Sequence, residues 1–95
     1  MDDIKAVIEK YIIDKKYSNY FSNVRVEDNG SKYTVKIDYD NLPTNKLIKA
    51  MNIDKERKFT TINYSSNEIF IDVISTFGNP GLKEVTNFLY FTMLP

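Results

Sequence analysis

Apolar and polar residues along this chain repeat with two different periods, and the switches between them predict seven elements. Ile4, Val7, Ile8, Tyr11 and Ile12 recur at i, i+3, i+4, i+7 and i+8, the stripe of one helix running from Asp3 to about Lys16. Asp2 and Asp3 at its start and Lys15 and Lys16 at its end suit the helix dipole. Beyond Ser22 the period becomes two. Val24, Val26, Tyr33, Val35, Ile37 and Tyr39 fall on one face, and Arg25, Glu27, Lys32, Lys36 and Asp38 on the other. Asn29-Gly30 supplies the positive φ angles of a type I′ turn, which makes this stretch a hairpin. With those two residues as the loop, Asp28 pairs with Ser31, Val26 with Tyr33 and Val24 with Val35.

Asp40-Asn41-Leu42-Pro43 breaks the alternation, and Pro43 suits the first turn of a short second helix that covers Leu47, Ile48 and Met51. The charged connection Ile53 to Lys58 leads into a second hairpin, Phe59 to Tyr64 and Ile69 to Phe77. With Ser66-Asn67 as its loop, Tyr64 meets Ile69, Ile62 meets Ile71 and Thr60 meets Val73. That face is expected in the core, because the alternative buries Asp72 without a partner. Phe59, Phe70 and Ile74 then share the opposite face with Thr61, Asn63 and Asp72. Asn79 as N-cap and Pro80 at the first helical position open a last helix through about Met93, with Leu82, Val85 and Leu89 inward and Tyr90 and Phe91 partly off that stripe.

The order α-β-β-α-β-β-α predicts a single α+β domain over residues 1–95, a four-stranded antiparallel sheet with helices mainly on one face. Ile13-Asp14-Lys15 recurs as Ile53-Asp54-Lys55, which marks either a duplication of the two αββ halves or the chance recurrence of residues frequent in this chain. Composition removes whole classes of chemistry. There is no cysteine and no histidine, so a thiolate zinc site, a disulfide framework and an imidazole base are all excluded, and no cofactor is expected. The 13 basic and 13 acidic residues balance, which gives no global attraction to a phosphate backbone. The first residues lack the basic and apolar regions of a secretory signal, and no apolar run is long enough to span a bilayer. The expected location is therefore the cytoplasm, with no membrane contact.

The element order, with Ile12-Ile13-Asp14-Lys15-Lys16 and Asn52-Ile53-Asp54-Lys55-Glu56, resembles the LAGLIDADG homing endonucleases, whose core lays a sheet on DNA. The resemblance covers element order and those two fragments. Lys16 stands where that family has its second acidic residue, and the small residues that let its helices pack closely are absent, so its activity is not carried over.

Three functional expectations follow. The first is a non-catalytic protein-binding module that uses Phe59, Phe70 and Ile74 on the open sheet face, with Tyr90, Phe91 and Leu94 near the C-terminus. Its partner is another protein or a second copy. A small inhibitor or adaptor of the phage or mobile-element kind, docking on a host enzyme or defence complex, has this character. The alternative is a nucleic-acid module with Lys55, Arg57 and Lys58 as its patch, helped by outward Arg25, Lys32 and Lys36. A second alternative is a metal nuclease in which Asp38, Asp40 and Asp72 converge on a hard cation.

Overall fold

The computed structural model describes residues 2–75 and 80–95. Its elements are α1 (Asp2–Asp14), β1 (Phe21–Asp28), β2 (Lys32–Tyr39), α2 (Thr44–Ile53), β3 (Thr60–Tyr64), β4 (Glu68–Ile74) and α3 (Pro80–Thr92). The strands form one antiparallel sheet in the order β1-β2-β4-β3, so each hairpin contributes one central and one edge strand. The fold is the α+β domain that the periodicities predict. The expected continuation of the last strand to Phe77 and the Asn79 cap lie outside the described residues.

α1 buries Ile4, Ile8 and Ile12, whereas Val7, expected on the same stripe, is 43% exposed at its edge. The helix stops at Asp14, so Lys15 and Lys16 lie past its last turn. Lys16 takes φ +64°, its N–H donates to the Ile13 carbonyl, and the Tyr17 N–H donates to the Ile12 carbonyl. This is a Schellman closure with lysine where glycine is the usual residue.

The first hairpin differs from its expected register by two residues. Asp28 lies opposite Tyr33, and Val26 opposite Val35. Among the described residues Gly30 has φ +86° while Asn29 is not left-handed, so the loop is Gly30-Ser31 and Asn29 joins the ladder by donating to the Lys32 carbonyl. A type I′ turn would need positive φ at both Asn29 and Gly30. Moving a two-residue loop by one position shifts every partner by two, so each side chain keeps its face. Further along β1, Asn23 (φ +53°) forms a bulge between the Ser22–Asp38 and Arg25–Lys36 pairs. Phe21 and Val24 are three residues apart and would point to opposite faces of a regular strand. The bulge absorbs the phase difference, and both are buried.

The second hairpin has the expected register, with Tyr64 opposite Ile69, Ile62 opposite Ile71 and Thr60 opposite Val73. Its strand β4 pairs with β2, setting Val35 against Ile71 and Ile37 against Ile69. These side chains form the core with Val85, Phe88 and Leu89 of α3, Leu47 and Ala50 of α2, and the α1 stripe. In α2 the expected inner residue Ile48 is 46% exposed, and Ala50 takes the buried position instead. α3 packs on β3 and β4 and touches both other helices, so the helical layer covers one face of the sheet. At Gly81, α3 lies so near β4 that an added Cβ would collide with Val73 Cγ1.

Candidate interaction face

On the uncovered face, strand alternation and register arrange the side chains in rows across the sheet. Arg25, Lys36, Phe70 and Asn63 form one row, and Glu27, Thr34, Asp72 and Thr61 the next. Asp38 lies opposite Glu68 beyond the first row, and Lys32 opposite Ile74 beyond the second. The part carried by β1 and β2 is closed electrostatically. Arg25 Nη2 bridges Asp38 at 2.6 Å and Glu68 at 2.7 Å, Lys36 Nζ meets Glu27 at 2.9 Å, and Asn23 Nδ2 donates to Asp38 at 3.0 Å. These groups remain partly solvated, so each pair contributes about 0–1 kcal/mol and serves chiefly to align neighbouring strands.

The part carried by β4 and β3 is different. Phe70 is half-buried between Lys36 and Asn63, and Ile74 is 40% exposed. Phe59 is half-buried beside Ile74, whose N–H donates to the Phe59 carbonyl. Asp72 stands between Phe70 and Ile74 and accepts the Thr34 hydroxyl at 2.7 Å. A shallow hollow of about 170 Å³ opens there between Lys32, Lys58, Phe59, Asp72 and Ile74.

The expected C-terminal half of the interface lies elsewhere. Phe91 packs against the core from the helical layer, while Tyr90 is 45% exposed there with its ring 5.8 Å from that of Phe91. Tyr11 is close enough to Tyr17 and Tyr90 that, after burial, these two neighbours raise its pKa further above 10.0. Leu94 is half-buried and its carbonyl accepts from Lys46 Nζ. The six expected interface residues therefore do not form one patch: Phe70 and Ile74 lie on the open sheet face, Tyr90, Phe91 and Leu94 belong to the helical side, and Phe59 stands at the sheet edge, close to both Ile74 and the start of α3.

The residues of the other candidate sites are placed as follows. Arg57 turns back to donate through Nη1 to the carbonyls of Met51 and Asp54, both at 2.8 Å, and so closes the end of α2. Lys55 and Lys58 are exposed. Among the carboxylates, Asp38 is held by Arg25, Asp72 by Thr34, and Asp40 by the N–H of Asn41. Among the described residues no group of three or more acidic side chains is placed to hold a metal ion, and no helix is long and apolar enough to cross a membrane.

Glu84, which periodicity passes over as an outward helical residue, ties α3 to the edge strand. Its carboxylate accepts the N–H groups of Lys58 and Phe59 at 3.0 and 3.1 Å and the Thr60 hydroxyl at 2.8 Å. The signal that could have revealed it is the run of main-chain donors at the start of an edge strand, which need an acceptor from outside the sheet. Comparison with protein-family models, curated proteins and solved structures finds no match to this chain.

Proposed function

We propose that this chain is a non-catalytic protein-binding module that docks a larger protein on the open face of its sheet, as an inhibitor or adaptor does. The observation that carries this reading is the position of Phe70 and Ile74 on the face that the helices leave bare. An aromatic residue in such a place is a typical anchor, worth about 2 kcal/mol or more to binding when a partner desolvates it. The ion-paired surface of β1 and β2 supplies the polar rim, already aligned by Arg25 and Lys36. Tyr90 and Phe91 lie on the opposite side and take no part in this contact.

The rim is internally neutralised, so association should vary little with salt, whereas contact with a nucleic-acid backbone would weaken steeply. A photoreactive residue placed at position 70, and separately at position 90, tests the reading in living cells. The expected result is a discrete crosslinked protein from position 70 and none from position 90. Equal capture from both positions, or capture from position 90 alone, would contradict it.

A further inference from the structure

We infer that Asn29-Gly30 is a site of spontaneous covalent modification, in which the turn of the first hairpin loses an amide and gains a carboxylate. Ten asparagines are spread along the chain, and Asn29 is the only one followed by glycine. A residue without Cβ leaves its main-chain nitrogen free to approach the preceding side chain. Both residues are exposed, and a Cβ built on Gly30 would meet nothing within 4 Å, so the turn stands clear of the rest of the fold.

The attacking nitrogen must lose its proton, and a base is already in place. The Gly30 N–H donates to Asp28 Oδ1 at 3.0 Å, within the reach expected of a general base. That nitrogen belongs to the loop and not to the β1–β2 ladder, whose closing bond runs from the Asn29 N–H to the Lys32 carbonyl at 2.8 Å.

The chemistry balances without a further reactant except water. A bond forms between the Gly30 nitrogen and Asn29 Cγ, closing a succinimide. The bond from Cγ to Nδ2 breaks, and the proton taken by Asp28 passes to the departing nitrogen, which leaves as ammonia. Water then opens the ring. Addition at the former side-chain carbonyl yields aspartate, and addition at the main-chain carbonyl yields isoaspartate. Either product sets a new negative charge next to Asp28, and the second routes the main chain through an added methylene. Because the turn fixes the register of β1 on β2, the isoaspartyl chain loosens the Arg25–Asp38 and Lys36–Glu27 pairs.

The test is incubation of the purified full chain at neutral and mildly alkaline pH, followed by peptide mass spectrometry that distinguishes isoaspartate from aspartate. Amide loss at Asn29 is expected to be severalfold faster than at any other asparagine. Gly30→Ala should slow it, but alanine at φ +86° also strains the turn. Asp28→Asn is therefore the second variant, because it keeps the acceptor oxygen and removes the base. Slower loss in Asp28→Asn supports the assignment, and an unchanged rate contradicts the role of Asp28. Loss at Asn29 no faster than at the other asparagines would overturn the proposal.

Discussion

In the first hairpin the outward residues Arg25, Glu27, Lys36 and Asp38 all find a partner of opposite charge. In the second, Thr61, Asn63, Phe70 and Ile74 carry no charge, and its outward acids Glu68 and Asp72 are held from the first hairpin by Arg25 and Thr34. The inward faces of the two hairpins are alike, since Val35, Ile37, Ile69 and Ile71 are all fully buried. The difference separates two tasks. Burial on one face holds the domain together, and the other face is free to vary, with polar pairing in one hairpin and bare apolar side chains in the other. Phe70 and Ile74 contribute little to the shared core, so their place in the chain is better explained by what they can touch outside it.

This comparison can be broken at several points. The largest effect is expected in the core that the hairpins share. Ile71→Ala should lower stability by about 3 kcal/mol in urea denaturation, with Val35→Ala close behind because its side chain fills the facing position. A several-fold disparity between them would show that the hairpins are unequal inside as well as outside. Next comes Glu84→Ala, which strands two main-chain N–H groups and the Thr60 hydroxyl at the start of β3. A loss of about 1–3 kcal/mol is expected, with faster amide exchange at Phe59.

The hairpins should also separate under alkali. Tyr33 and Tyr39 both belong to β2, and burial raises each pKa above 10.0, with Tyr64 raising that of Tyr39 further. A raised acid favours the protonated folded form. Its stabilisation is complete below the unfolded pKa near 10 and is lost as pH climbs from there through the folded value. Unfolding above pH 10, followed by circular dichroism and tyrosine absorbance, is the expected outcome. A smaller effect attends Arg25→Ala, which should lower stability by about 0.5–1 kcal/mol at low salt and by less at high salt, because the ion pairs it breaks are partly solvated.

Much of this architecture is legible from periodicity. Inward and outward sets were separable in both hairpins because a two-residue period admits only two faces, and the second register followed from Ser66-Asn67 as its loop. The first register was not legible. It turns on whether both Asn29 and Gly30 or Gly30 alone is left-handed, and on a bulge at Asn23 that no local propensity announces. Val7 and Ile48 sit at the margins of amphipathic stripes, where a few degrees of helix rotation decide burial.

The candidate site was half legible for a related reason. Alternation places Phe70 and Ile74 on one face of β4, but it does not say which face a following helix will cover. α3 packs on the buried face, which carries Tyr90 and Phe91 away from the strand residues expected beside them. Glu84 acts through main-chain groups 25 and 26 residues earlier, and Arg57 through carbonyls three and six residues back, contacts that the apolar periodicity does not encode.

The most direct test of this division of labour is urea denaturation of Phe70→Asp, with partner capture measured on the same preparation. The account expects a midpoint close to that of the parent chain, because Phe70 is only half-buried on a solvated face, together with loss of the protein that the parent chain captures. Unfolding of the variant would make Phe70 a core residue, and undiminished capture would place the docking surface elsewhere.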